Sequence, residues 1–251
     1  MYILLTNDDG VHAEGIRALC AGFVQAGHRV SVCAPDRERS AASHSVTLNK
    51  DLWAEPVAFP GAERAWQCGG TPADCASLGL WLCREDPVDM VVTGINFGMN
   101  LGGAAVYSGT VGAAMEASMC GKPALAASLC VKDGQGAADF APAARLTVRV
   151  AEWAASHPLP LGCLYSLNVP PLPYDEIKGL TPARLAPVFL GVPSYRPVGD
   201  NAYRFLYNSP VPMEDPSGDV GLIGQGYATI TKVTWDFRMN APEDDMREIG
   251  L

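Results

Sequence analysis

Apolar runs that suit buried strands alternate with helix-like stretches over residues 1 to about 170. The first run, "YILL", is followed by apolar residues from Ile16 to Val24 at the i, i+3, i+4, i+7 and i+8 positions of one helix face. Later runs predict strands at "RVSVCAP", "VDMVVTGIN", "ALAASLC" and "CLYSLNVP". One helix is predicted to begin after an N-cap at Thr71, another near Pro142, and a third to end at Gly121. This alternation predicts a mostly parallel sheet covered by helices.

The pattern changes at Pro170, where Pro and Gly become frequent and helical periodicity fades. The stretch "YATITKVTWDF" (227–237) alternates as an antiparallel strand does, and a β-rich excursion is also predicted earlier, through "VTLNKDLWAEPVAF". We therefore predict an α/β catalytic core at 1–170 and a β-rich extension at 171–251 that is integrated with the core. The extension either makes oligomer contacts, the interpretation we favour, or packs only on its own subunit.

The composition narrows the function classes. The net charge is −9 and the basic residues form no stripe, which argues against binding nucleic acid. No apolar run is long enough to span a membrane, and Met1 leads almost directly into the first strand without a signal-peptide pattern. The eight cysteines lack metal-ligand spacing and lie mostly in apolar segments, as reduced core residues do. A cytoplasmic protein is expected.

Polar residues cluster where three predicted strands end. Because open parallel sheets bind ligands outside the carboxyl ends of their strands, the three loops should meet at one edge. The loops carry Asn7, Asp8 and Asp9; then Asp36, Arg37, Arg39, Ser40, Ser43 and His44; then Asn96, Asn100, Ser108 and Thr110 among several glycines.

The adjacent carboxylates of Asp8 and Asp9 favour a divalent cation. Two neighbouring negative charges repel unless a cation or hydrogen bonds offset them. Carboxylate, hydroxyl and amide oxygens suit Mg, Mn or Ca, so Ser40 and Asn96 can complete the ligand set. Alternatively, "NDDG" is only a turn or helix cap, since Asn, Asp and Gly are turn formers.

The stretch "YSGTVGAAMEAS" combines two hydroxyls with a helix start. Gly109 lets the backbone approach a ligand, and unpaired N–H groups at a helix start favour an anion. Ser108 and Thr110 can contact that anion or simply cap the helix. Neither GxxxxGK[ST] nor GxGxxG is present. This segment, which we call the phosphate cradle, therefore has the chemical groups of a phosphate-binding loop without a known phosphate-binding motif.

Four further polar residues near the predicted site allow two interpretations each. Arg37 and Arg39 can bind phosphate or solvate their loop, and His12 and His44 can move protons or be structural. The structural interpretation is favoured for all four, and neither histidine has a partner that the sequence reveals.

A metal beside a phosphate cradle indicates metal-assisted hydrolysis of a phosphate ester. Two competitors on similar sheets are disfavoured. A haloacid-dehalogenase-type phosphatase needs DxD, but Gly10 stands in the second Asp position. A receiver domain needs a phosphoacceptor Asp after its third strand, where this chain has Asn96.

The motifs resemble a known family. "ILLTNDDG", "APDRERSAASHSVTL", "GGTPADC", "GINFGMNLGGAAVYSGTVGAAMEA", "LNVP" and "GYATITKVT" occur in the order of the survival protein E family, the stationary-phase survival 5'-nucleotidases. The resemblance spans most of the chain. It implies an α/β fold with a Rossmann-like, mostly parallel sheet, helices on both faces and a C-terminal β-hairpin extension, in a homodimer or homotetramer.

The resemblance also implies site residues. It assigns one divalent metal ion per subunit to Asp8, Asp9, Ser40 and Asn96, and phosphate contacts to Asn96, Ser108, Gly109 and Thr110. Its substrates are nucleoside 5'- and 3'-monophosphates, and some members trim short polyphosphate. Attack would begin from Asp8 or Asp9, or from a water bound to the metal.

This chain departs from the family pattern at three positions. Glu14 and Lys232 stand where Pro is common, and Ala41 replaces a Gly. If position 41 requires a positive φ, Ala41 is strained and the placement of Ser40 is affected. The leading hypothesis is a metal-dependent nucleoside monophosphatase, and the alternative is a non-catalytic nucleotide-binding sensor.

Overall fold

The structure is a computed structural model and describes residues 1–131, 138–189, 194–206, 211–212 and 215–234. The strands are β1 (Tyr2–Thr6), β2 (Arg29–Pro35), β3 (Ala54–Pro56), β4 (Arg64–Cys68), β5 (Met90–Phe97), β6 (Ala124–Leu129), β7 (Cys163–Val169), β8 (Leu180–Pro182), β9 (Val188–Phe189), β10 (Ser194–Gly199), β11 (Ala202–Leu206), β12 (Val211–Pro212) and β13 (Ala228–Thr234). The α-helices are α1 (Glu14–Gln25), α2 (Pro72–Leu82), α3 (Gly109–Met119), α4 (Ala141–Ala155) and α5 (Asp219–Gly224).

One nine-stranded sheet organises the chain, in the order β3-β4-β2-β1-β5-β6-β7-β13-β8. The six strands from β4 to β7 are parallel, as the alternation of strands and helices predicted. Within this sheet, β3 and β13 pair antiparallel with their neighbours β4 and β7. Because β1 lies between β2 and β5, the loops after these three strands open at the same edge.

Helices cover both faces of the sheet. On one face α1 packs against α4, and on the other α2 packs against α3. Each face has its own apolar core: Ile16, Leu19 and Phe23 of α1 pack in one, and Val111 and Ala114 of α3 pack in the other. The mostly parallel, helix-covered α/β fold predicted from the sequence is confirmed.

Local signals explain where the helices begin and end. Thr71 and Asp74 form a reciprocal capping box at the start of α2, with Pro72 in the first helical position. Gly121 has φ 77° just beyond α3, a conformation that glycine adopts at low cost. All eight cysteines are free thiols, as predicted.

The part of the chain after Pro170 contributes to the main sheet as well as to hairpins. Strand β13 pairs antiparallel with β7 over 229–234, as its alternation predicted, while 235–237 lie outside the described residues. Strand β8 adds parallel to β13, and β10 and β11 form a separate antiparallel hairpin. The predicted β-rich excursion is mostly irregular, since only β3 forms there, and β4 was not predicted.

Candidate metal and phosphate site

Direct contacts bring the three predicted loops together. The backbone N–H of Arg39 donates to the Asp8 carbonyl at 2.7 Å, which joins the second loop to the first. The backbone N–H of Phe97 donates to Asp9 Oδ2 at 3.1 Å, and Thr110 donates its hydroxyl proton to Asp8 Oδ1. The first loop is thus bonded to both of the others, at the carboxyl edge of the sheet.

Asp8 lies at the centre of this cluster and is 4% exposed. Burial raises the pKa of its carboxyl above the usual range, and the hydrogen bond from Thr110 acts in the opposite direction. A Cβ at Gly109 would lie 2.9 Å from the Asp8 Cβ and 3.0 Å from Asp8 Oδ2. The start of α3 approaches this carboxylate closely because residue 109 has no side chain.

Asp9 is half-buried beside Asp8. Burial and the charge of Asp8 raise the pKa of Asp9 to about 6. Across the described residues, neither carboxylate forms an ion pair with a Lys or Arg side chain. The chain therefore concentrates negative charge here without a cationic side chain to offset it.

Ser40 and Asn96 each use a proton in a local hydrogen bond. Ser40 Oγ donates to Glu38 Oε1 at 2.6 Å, and Asn96 Nδ2 donates to the Gly98 carbonyl at 3.0 Å. Both contacts leave oxygen lone pairs, on Ser40 Oγ and on Asn96 Oδ1, available to accept. The nearby charge of Glu38 also contributes, as the smallest cause, to raising the pKa values of Asp8 and Asp9, an influence that sequence reasoning missed.

These donors fit a hard divalent cation. In the described part of the chain, Asp8 Oδ2 and Asp9 Oδ1 accept no side-chain hydrogen bond, while the other oxygen of each carboxylate is held by a neighbour. No group of three or more His, Cys, Asp or Glu side chains suited to a metal occurs there. A cation at this edge would therefore bind two carboxylates and neutral oxygens, the ligands that Mg and Mn accept.

The predicted phosphate loop, Ser108 to Thr110, begins α3. Ser108 Oγ accepts the N–H of Val111 at 3.1 Å, so Ser108 is the N-cap, and its hydroxyl proton is still available to a ligand. The Thr110 hydroxyl is committed to Asp8, and the Thr110 carbonyl accepts the Thr93 hydroxyl at 2.8 Å. The capping alternative thus holds for Ser108 and does not exclude an anion contact.

The loop that carries Ser40 is strained and firmly anchored. Ala41 has φ 56°, the left-handed conformation in which an alanine is strained. Ser43 also has a positive φ, 54°, and bonds to the segment before α3 through the carbonyls of Val106 and Tyr107. The departure from the family pattern at position 41 therefore does place a strained residue next to Ser40.

Two side chains fix the far end of the same loop. His44 Nε2 lies 2.8 Å from Glu116 Oε2 on α3, which gives His44 a partner that the sequence did not reveal. Asp74, 3% exposed at the start of α2, accepts from the backbone N–H and the hydroxyl of Thr47 at 2.8 and 2.7 Å. Asp74 thus serves both the capping box of α2 and this loop, and the sequence did not reveal the contact with Thr47.

The remaining polar candidates are either exposed or bonded to neighbouring protein groups. The Arg37 side chain is 68% exposed, whereas Arg39 donates to Asp36 and to the Gly69 carbonyl. His12 is exposed. Glu14 is the first residue of α1, where its charge favours the positive end of the helix dipole.

The fold and the site define a Rossmann-like α/β protein with an acidic, oxygen-rich cluster beside a helix start. The family model of the survival protein SurE matches residues 3–189. The chain belongs to the SurE family, as the motifs predicted.

Relatives match along nearly the whole chain. A 5'-nucleotidase SurE of Synechococcus sp. (strain JA-3-3Ab) is 43% identical over 100% of this chain and 98% of its own length. One of Moorella thermoacetica is 42% identical over 94% of this chain and 91% of its own. The crystal structure of a SurE protein from Aquifex aeolicus superposes with a TM-score of 0.82, at 29% identity and 99% coverage of both chains. Separately, none of the described helices is long and apolar enough to cross a membrane.

Proposed function

We propose that this chain is a metal-dependent 5'-nucleotidase that hydrolyses nucleoside 5'-monophosphates to nucleoside and phosphate. The proposal extends to 3'-monophosphates and short polyphosphate as further substrates. The observation that carries it is the pair of adjacent carboxylates, Asp8 buried and Asp9 half-buried, beside the hydroxyl-rich start of α3. The relatives named 5'-nucleotidase, over 40% identical along nearly the full chain, support the substrate class.

The metal ligands in this proposal are Asp8, Asp9, Ser40 and Asn96, with one Mg²⁺ or Mn²⁺ per subunit. A bound divalent ion polarises a phosphoryl oxygen and lowers the pKa of water. The protein's part is to hold the four oxygens: Thr110 orients Asp8, the Phe97 N–H orients Asp9, and Glu38 turns the Ser40 hydroxyl.

The phosphate group lies against Asn96 and the Ser108–Thr110 loop. The N–H groups at the start of α3 lack carbonyl partners within the helix and favour an anion. The Ser108 hydroxyl adds a donor, and Gly109 keeps the approach open next to Asp8.

Attack on phosphorus then starts from Asp8 or Asp9, or from water. Rapid quench and borohydride trapping during turnover separate the two routes, because only carboxylate attack, with departure of the nucleoside alkoxide, forms an aspartyl phosphate that can be trapped.

Phosphate release from AMP and from p-nitrophenyl phosphate tests the function, in Mn²⁺, in Mg²⁺ and in EDTA. We expect turnover with either metal and little in EDTA. A non-catalytic sensor would bind AMP and release no phosphate at any pH, a result that would replace the enzyme proposal. No contact in the described residues favours the sensor.

Self-association belongs to the same proposal, as a homodimer or homotetramer formed through the β10–β11 hairpin. Both strands of that hairpin are exposed, and Tyr203 and Val198 are 65% and 49% exposed on it. Exposed apolar patches of this kind mark interaction surfaces. Light scattering on Tyr203→Glu should show a smaller particle than wild type, whereas the same change at Leu161, which is equally exposed in a turn outside the hairpin, should not. An unchanged mass for Tyr203→Glu would remove the hairpin from the interface.

We place the enzyme in the cytoplasm, where thiols stay reduced, because all eight cysteines are free. Cell fractionation with an antibody to the chain tests this location. A chain found mainly outside the cytoplasm would contradict it.

A further inference from the structure

The segment that leads into the phosphate loop is anchored on both sides. On the core side, the Asn100 N–H donates to Asn168 Oδ1 at 3.0 Å, and Asn100 Nδ2 donates to Ser128 Oγ at 2.8 Å. Two residues later, the N–H of Gly102 donates to Asp219 Oδ2 at 2.8 Å. The second anchor comes from α5, 117 positions further along the chain.

Asp219 is fully buried, at 0% exposed. Its other oxygen, Oδ1, accepts the N–H groups of Ala186 at 2.8 Å and Val220 at 2.9 Å. Among the described residues, no Lys or Arg forms an ion pair with it. A buried carboxylate without a cation is costly unless backbone donors satisfy it. The three backbone N–H groups therefore satisfy both oxygens of this buried carboxyl group.

The contact to Gly102 reaches the phosphate loop through a short rigid link. Gly102 is the first residue of a 3₁₀ helix that spans Gly102–Tyr107, so its N–H has no partner within that helix. The helix leads directly into Ser108, the N-cap of α3. Because the helical backbone between them is hydrogen-bonded, a displacement of Gly102 also displaces Ser108.

We propose that Asp219 is a positioning residue for the phosphate loop, through which the C-terminal part of the chain sets phosphate affinity. The inference rests on the proposed function of the Ser108–Thr110 loop. In the described part of the chain, the Asp219 side chain makes no hydrogen bond to any of the proposed metal ligands. It fixes the position of the Ser108 hydroxyl and of the N–H groups at the start of α3 that bind phosphate.

The variant Asp219→Asn isolates the contact to Gly102. An amide has one acceptor oxygen and one NH₂ group. Turned so that its oxygen serves the N–H groups of Ala186 and Val220, the new amide would set its NH₂ against the N–H of Gly102. Asp215→Asn is the matched control, because Asp215 accepts from Ser217 and Gly218 just before α5 but has no contact with Gly102.

We expect the KM for AMP and the inhibition constant of inorganic phosphate to rise about tenfold in Asp219→Asn, the loss of one hydrogen bond to a charged group. The Mn²⁺ concentration for half-maximal activity should not change, and Asp215→Asn should match wild type in all three constants. Unchanged constants in Asp219→Asn, or equal shifts in both variants, would overturn the inference.

A wild-type measurement covers the case in which Asp219→Asn does not fold or the chain proves inactive. Hydrogen exchange is measured by mass spectrometry with and without saturating inorganic phosphate. Phosphate should slow exchange in peptides that contain Ala186 and Val220, because the loop and α5 are bonded through one carboxylate. No slowing there would overturn the inference, whether or not AMP is hydrolysed.

Discussion

Replacing Asp9 with Asn should stabilise the metal-free protein while abolishing its activity. Folding raises the pKa of Asp9 from 3.8 to about 6, mainly through burial and the charge of Asp8. The folded state therefore binds more protons than the unfolded chain between about pH 4 and pH 6, and stability falls as the pH rises through that window. A shift of two pKa units corresponds to a loss of about 3 kcal/mol in the free energy of unfolding. This destabilisation by Asp9 is complete above about pH 6.

Urea unfolding in EDTA measures this effect at several pH values. We expect Asp9→Asn to exceed wild type by up to about 3 kcal/mol at pH 8 and to converge with it near pH 4. The amide can still accept the Phe97 N–H, so the fold should survive. Asp51→Asn, on an exposed residue, should show no such difference. A variant less stable than wild type at pH 8, or one that retains Mn²⁺-dependent turnover, would refute the reasoning.

Three further substitutions test the surroundings of the site. Gly109→Ala places a Cβ 2.9 Å from that of Asp8. It should lower the free energy of unfolding by about 1–3 kcal/mol and remove most of kcat/KM. The control is Gly224→Ala, which has no atom within 4 Å of its Cβ and should leave kcat/KM unchanged. Thr110→Val removes the donor to Asp8 Oδ1, so kcat/KM for AMP should fall about 10- to 100-fold; an unchanged value would make that bond irrelevant to activity. Ala41→Gly relieves the positive φ and should add about 0.5–1 kcal/mol in urea unfolding, and a loss would show that position 41 is not strained.

The core of the fold followed from local signals in the sequence. The 3.6-residue periodicity of α1, the Thr71 N-cap of α2 and the apolar runs of β5 to β7 each predicted the element that forms. Strand β4 was missed because its five residues, "RAWQC", carry polar side chains on a half-buried face. The pairing of β13 with β7 depends on contacts some 60 residues apart, as between Thr229 and Asn168, and no local pattern encodes it.

The site divides in the same way. The position of Asp8, Asp9 and Asn96 at one edge of the sheet could be predicted, because polar residues follow buried strands there and parallel sheets bind ligands at that edge. The influence of Glu38 could not, because an acidic residue in an exposed loop has no periodic signal. The roles of Asp74 and Asp219 arise from backbone N–H groups far away in the sequence, which become partners only when the chain folds.

Phosphate release from AMP by the purified chain, in Mn²⁺ and then in EDTA, tests the central claim most directly. The account predicts turnover that EDTA abolishes, that added Mn²⁺ restores, and that Asp9→Asn lacks in either condition. Turnover that persists in EDTA, or that Asp9→Asn retains, would contradict the assignment of Asp8, Asp9, Ser40 and Asn96 as the ligands of a catalytic metal.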